Sequence, residues 1–194
     1  MARPALFTIG HSNHPYEWFL ELVRAHGVEA VADVRSRPFS RFVPHFAKER
    51  LERLLAEDGI EYVFLGRELG GKPVRGEIEP VPTSYEARIA KASFRAGIAR
   101  LLELAGRRRT ALLCRERDPL DCHRLHLVCR YLRPRVGEIA HILPDGRSEP
   151  QSGTERRLLD RAGPAPLPLF GEGEGAAERD ALARSYDLGW WQRR

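Results

Sequence analysis

The chain has 194 residues, a net charge of +5 and a pI near 9.4, and that length suits one domain with a full hydrophobic core. No run of eighteen apolar residues occurs, which excludes a membrane-spanning helix. Three cysteines in a chain of this size argue against a disulfide scaffold and for a reducing compartment.

Apolar runs alternate with amphipathic stretches. Ala5 to Gly10 reads as a buried strand, and Pro15 to His26 as a helix burying Phe19, Leu20 and Val23. Gly27 suits the end of that helix. Ala30 to Arg35 is a second strand; Ala47 to Asp58 is a helix with Leu51, Leu54 and Leu55 on one face. Glu61 to Leu65 is a third strand, and residues 66–84, rich in glycine and proline, read as a long loop. A helix follows from Tyr85 to Ala105, with Ile98, Leu101, Leu102 and Ala105 at helical spacing.

Thr110 to Cys114 is a fourth strand, and a charged loop broken by Asp118-Pro119 leads from it into a helix that buries Leu125, Val128, Cys129 and Leu132. Glu138 to Leu143 is a fifth strand and Thr154 to Arg161 a short helix. Strands separated by helices imply parallel pairing with right-handed crossovers. The expected fold is therefore α/β: a single domain over residues 1–162, with a mostly parallel five-stranded sheet flanked by helices. Residues 163–194 read as an extended tail, with glycine-rich punctuation and one helix from Ala176 to Tyr186. Within the tail, Pro166-Leu167-Pro168-Leu169-Phe170 faintly resembles the peptide that docks on the bacterial sliding clamp, without its leading glutamine.

The chemically able residues collect where strands end. Gly10-His11-Ser12-Asn13-His14 follows the first strand, Asp33-Val34-Arg35 with Ser40 and Arg41 the second, and Leu69-Gly70-Gly71-Lys72 the third. The fourth ends in Cys114, its loop with Glu116, and then Cys122-His123-Arg124. A parallel sheet puts all carboxyl ends on one edge, where ligands bind, so these segments are expected to converge.

Thr8-Ile9-Gly10-His11-Ser12, Asp33-Val34-Arg35 with Pro38 and Ser40-Arg41, Leu69-Gly70-Gly71, and Cys114-x-Glu116-x-Asp118-Pro119-x-x-Cys122-His123-Arg124 resemble the bacterial proteins grouped as domain-of-unknown-function family 488. The resemblance spans roughly Ala5 to Leu143. It implies a compact cytosolic α/β domain and carries no reaction with it. The Asp-Val-Arg and strand-Cys-Arg elements also resemble rhodanese-like sulfur transferases, but there the cysteine opens a short cradle, whereas Cys114 enters a longer acidic loop.

Three functions compete. The first is an enzyme acting on an anionic, phosphate- or nucleotide-like substrate. In it Cys122, acidified at a helix N-terminus, is the nucleophile or redox centre, with His11, Asp33 or Glu116 as general acid or base. Arg35, Ser40, Arg41, Cys114, His123 and Arg124 line the substrate site, the arginines as forks. The second is a nucleic-acid-associated binding protein, which uses the basic charge and the aromatics interleaved with arginines from Arg35 to Phe42. The third, ranked below both, is a metal site from Cys114, Cys122, His123 and His11; its spacing matches no standard signature, so no metal or cofactor is assigned.

Plainer readings stand beside these. Cys129 is core, Asp121 an N-cap, Asp33–Arg35 a structural ion pair, Gly70-Gly71 a turn, and Phe39 and Phe42 anchors of their loop on the core. No membrane partner is expected, the location is expected to be cytoplasmic, and the oligomeric state is left open.

Overall fold

Alternation of side chains across a buried sheet explains the two halves of the core. The strands are β1 (Leu6–Gly10), β2 (Ala30–Asp33), β3 (Glu61–Phe64), β4 (Thr110–Cys114), β5 (Ile139–Ile142) and β6 (Ser148–Pro150). Successive residues point to opposite faces. Phe7, Ile9, Val31, Ala111 and Leu113 therefore enter one apolar layer, while Leu6, Ala30, Ala32, Leu112 and Cys114 enter the other. The computed structural model describes residues 6–72, 84–163 and 174–190, with side chains of the last segment described from 178 to 188.

The sheet order is β3-β2-β4-β1-β5-β6. The first five strands pair in parallel and β6 runs antiparallel to β5. The α/β class stands, but with six strands rather than five. The sixth was missed because a three-residue edge strand ending in Pro150 carries no apolar alternation.

One face is covered by α1 (Tyr16–Ala25) and α2 (Lys48–Glu57), through Phe19, Leu22, Val23, Leu51 and Leu55. The other is covered by α5 (Ala92–Arg107), which buries Phe94, Ile98, Leu101 and Leu104, while Leu102 faces outward. The single helix expected from Tyr85 is broken at Lys91, whose ψ of 135° is extended, leaving α4 (Tyr85–Ala90) in front. Inside the expected long loop, Gly66–Leu69 forms the short helix α3; residues 73–83 lie outside the described residues.

After β4 the chain makes a 3₁₀ turn at Pro119–Asp121, a π-helical segment at Arg124–Cys129 and the short α6 (Arg130–Leu132). A regular helix opening at Cys122 is therefore not what forms. Asp118, whose carboxylate accepts from the Leu120 N–H at 2.9 Å, caps the turn instead of Asp121. α7 (Gln151–Ala162) is longer than expected, and α8 (Glu174–Trp190) packs back so that Tyr186 joins the core. The clamp-like stretch Pro166–Phe170 and Trp191 lie outside the described residues. Among those described, no helix is long and apolar enough to cross a membrane.

A polar thread crosses this core. His141, wholly buried in β5, accepts from Thr8 Oγ1 at Nδ1 and donates from Nε2 to Gln151 Oε1, each at 2.8 Å. Gln151 Nε2 in turn donates to Tyr186 Oη (2.8 Å) and Glu155 Oε1 (3.1 Å). Burial, then the nearby charge of Arg124, push the His141 pKa down to about 3. The unfolded chain thus takes up a proton near pH 6.5 that the native state refuses until about pH 3, so His141 makes the fold less stable as pH falls through that window. In urea titrations, the stability lost between pH 7 and pH 5 should be about 2 kcal/mol smaller for His141→Gln than for wild type, at ~1.4 kcal/mol per pH unit. Equal losses in the two proteins would remove this account.

Candidate functional site

Strand β4 lies between β1 and β2, so the loop leaving Cys114 emerges between their carboxyl ends. It folds directly over β1. The His11 N–H donates to Cys114 O and the Ser12 N–H to Arg115 O, both at 2.9 Å. A Cβ on Gly10 would stand 1.9 Å from Glu116 O and 2.9 Å from Arg124 Nη1, so only glycine lets the loop sit this close. From below, Arg124 holds the loop by its carbonyls: Nη1 donates to Glu116 O at 2.6 Å and Nη2 to Arg117 O at 3.2 Å. Its side chain is completely buried, and its Nε has no hydrogen-bond partner among the described residues.

Four side chains meet above this support. Glu116 Oε2 lies within hydrogen-bond distance of both sulfurs, 2.9 Å from Cys114 Sγ and 3.1 Å from Cys122 Sγ. His123 Nδ1 is 3.5 Å from Cys114 Sγ and 3.9 Å from Cys122 Sγ. One donor atom from each of the four lies within 4.8 Å of all the others. The far side of the imidazole is fixed: Val34 O, which can only accept, is 3.0 Å from His123 Nε2, so that nitrogen carries a proton. The Arg124 N–H also donates to Cys122 Sγ at 3.4 Å.

The two thiols are not equivalent. Burial pushes Cys114 up, but the Cys122 hydrogen bond and the charges of His123 and Arg124 outweigh it and hold the thiol well below its ordinary value. Burial, then its hydrogen bond to Cys114 and that residue's negative charge, push Cys122 well above the ordinary value. Burial raises Glu116, helped by Cys114. His123 is raised too: burial opposes this, and the negative charge of Cys114 overcomes it. These directions favour Cys114 as the more acidic thiol, whereas the sequence pointed to Cys122. The helix start that was to acidify Cys122 is absent, and its neighbours ionise first.

A second cluster adjoins the first. Arg35 grips Asp33 with two bonds, Nε to Oδ1 at 2.8 Å and Nη2 to Oδ2 at 2.6 Å, both residues being buried. Its Nη1 donates to Phe46 O (2.9 Å) and to His11 Nε2 (3.1 Å), while His11 Nδ1 donates to Ser12 O at 2.9 Å. Burial, then the Arg35 charge, hold His11 down at about 3, as a neutral ring stacked 4.3 Å from Phe46. Tyr62 completes the group by donating to Asp33 Oδ2 at 2.7 Å.

The structure thus brings His11, Asp33 and Arg35 into one cluster, and Cys114, Glu116, Cys122, His123 and Arg124 into the next, joined through Val34 and the His11–Cys114 backbone bond. Ser40 and Arg41 lie apart on the loop after β2, where Ser40 Oγ accepts from the N–H groups of Phe42 and Val43. Phe39 and Phe42 do not anchor that loop; both face solvent. Tyr62 was missed, since nothing in a strand sequence says which neighbour faces an acid. Glu116 replaces His11 in the four-donor group, and its place two residues after Cys114 was the available signal.

Geometry and fold together define a class: an α/β domain with a buried dithiol–imidazole–carboxylate cluster at the carboxyl edge of a parallel sheet. The family described as domain of unknown function DUF488 matches residues 15–131, which include the whole segment from Cys114 to Arg124. The chain belongs to that family. Neither the curated proteins nor the solved structures gave a match.

Because the loop rests on Gly10, Gly10→Ala should lift Glu116 away from the two sulfurs while leaving the sheet paired. Overpacking of this kind costs ~1–3 kcal/mol. The check is the melting temperature together with the rate at which Cys114 and Cys122 are alkylated, which should rise. An alanine variant as stable and as unreactive as wild type would show that the contact is not limiting.

Proposed function

We propose that Cys114, Cys122 and His123 bind a zinc-class divalent cation, with Glu116 as an exchangeable fourth ligand, and that the ion acts on an anionic substrate. The observation that carries this reading is the mutual distance of the four donor atoms. Metal–ligand bonds of about 2.0–2.3 Å in a tetrahedron place donors roughly 3.3–3.8 Å apart. Of the imidazole-to-sulfur separations, 3.5 Å falls in that range and 3.9 Å lies just beyond it. The carboxylate lies closer, at 2.9 and 3.1 Å, and would swing outward by roughly half an ångström to ligate.

Two further features support it. A ligating histidine usually donates its other N–H to a carbonyl or carboxylate, which is the role Val34 O fills for His123. Two thiolates, a carboxylate and a divalent cation leave one net negative charge, and the buried guanidinium of Arg124 lies beneath it. Glu116 is the least buried of the four and sits on the loop, which makes it the ligand a water or substrate oxygen would displace. On either side of it Arg115 and Arg117 are exposed and enter no ion pair with a described residue, and an open cleft of about 640 Å³ borders Arg117. Those rim arginines suit an anionic substrate better than Arg35 and Arg124, which are committed inside the protein.

Protein purified without chelator should carry close to one metal ion per chain. Cys114→Ser, Cys122→Ser and His123→Ala should lose it, whereas Glu116→Gln should keep it with affinity weakened about 10–100-fold, by analogy with changes at supporting residues. Cobalt exchanged into wild type gives a readout that needs no variant, namely thiolate charge-transfer absorption. Substoichiometric metal, or cobalt bound without thiolate bands, ends the proposal.

One observation favours a second reading. Both thiols touch the same carboxylate oxygen and the same imidazole nitrogen, an arrangement that would also serve a reactive cysteine, with Cys114 as thiolate beside His123. Metal-free protein alkylated at Cys114 near pH 6 would favour this reading.

A further inference from the structure

We infer that the turn formed by residues 37–42 docks a single strand of nucleic acid, with Phe39 and Phe42 stacking on unpaired bases and Arg37 and Arg41 facing the phosphates. Phe39 is 74% and Phe42 86% exposed, far more than the other large apolar side chains at the described surface, Leu102 and Leu188 at 36% and 46%. Rings of this size are ordinarily buried. Here they stand three residues apart in one turn, so their exposure is not scattered.

The turn is built to hold them out. The Phe39 N–H donates to Arg37 O at 2.8 Å, and Ser40 Oγ accepts from the N–H groups of Phe42 at 3.2 Å and Val43 at 3.3 Å. The Lys48 N–H closes the loop onto Pro38 O at 2.9 Å, and Val43 and Phe46 are buried as its footing. His45 Nε2 donates to His14 O at 2.8 Å, which ties the loop to the segment after β1. The rings are thus displayed by a hydrogen-bonded scaffold, and little ordering cost remains on binding.

Charge selects the partner. From Val34 to Lys48 there is no acidic residue, and Arg37 and Arg41 are exposed beside the rings, with Lys72 nearby through its N–H bond to Ser36 Oγ at 2.8 Å. Alternating guanidinium and aromatic groups match the alternation of phosphate and base along an unpaired strand. Protruding rings find no stacking surface on a closed duplex, so a single strand is favoured. The loop leaves β2 on the same sheet edge as the cysteine cluster, yet none of these observations depends on metal binding there.

The test is fluorescence anisotropy of the full chain with a labelled mixed-sequence DNA or RNA single strand at 50 and 200 mM salt. Phe39→Ala and Phe42→Ala should each weaken binding about 10-fold, within the range for loss of one stacked base. The double variant Arg37→Gln, Arg41→Gln should reduce the slope of log K against log salt by about 1.4, at roughly 0.7 per phosphate contact. All four side chains project into solvent, so the variants should melt like wild type. Affinity unchanged by the phenylalanine variants, or insensitive to salt, overturns the inference. So does binding to phosphatidylserine vesicles, lost in Phe42→Ala, by a protein that ignores the single strand.

Discussion

The site depends on one buried guanidinium. Arg124 lies wholly inside the protein, forms no ion pair among the described residues, and its guanidinium donates to the main-chain carbonyls of Glu116 and Arg117. Burying a cation in this way is costly unless negative charge gathers close by. The group that answers it is the cysteine cluster, where the Arg124 charge helps lower the Cys114 thiol. The same contacts lock the loop onto Gly10, so one side chain both places Glu116 and adds to the lowering of Cys114.

Around that pin the residues divide by where they stand on the sheet edge rather than by type. Arg35 is as cationic as Arg117, but it lies in the crease between β1 and β2, where Asp33, His11 and Phe46 O use its donors. The result is a brace: a neutral His11 stacks on Phe46, and the His11 backbone N–H donates to Cys114 O. His123 ties brace to cluster through Val34 O. Groups buried in the crease set geometry, and groups on the rim, Glu116 among them, are left to meet a ligand.

Much of this was legible before any coordinates. The apolar run Ala111–Leu113 and the helical spacing of Leu125, Val128, Cys129 and Leu132 gave a buried strand, its covering helix and the edge on which Cys114 would emerge, because burial writes such patterns into sequence. What escaped had no period to betray it. The break at Lys91 and the π-helical turn at Arg124–Cys129 leave no mark on the apolar spacing. Whether an arginine faces solvent or a neighbour is decided across the sheet, so Arg35 and Arg124 read as ligand forks when they are internal ties. The expectation of an acidic Cys122 assumed a regular helix start there, and the chain forms a 3₁₀ turn and a π-helical segment instead.

That last point bears on what the cluster is for. A thiolate inside a protein is tolerated when a cation neutralises it, and here His123 and Arg124 are the cations at hand. Arg124 cannot approach further, since its Nη atoms hold the loop, and His123 is anchored by Val34 O. Cys122 accordingly keeps its proton beside Glu116. A divalent ion among the four donors would allow both sulfurs and the carboxylate to ionise at once, leaving a single negative charge for Arg124 to balance. In the proposed metal site a dication would thus take the place of the protons now shared among Cys122, Glu116 and His123.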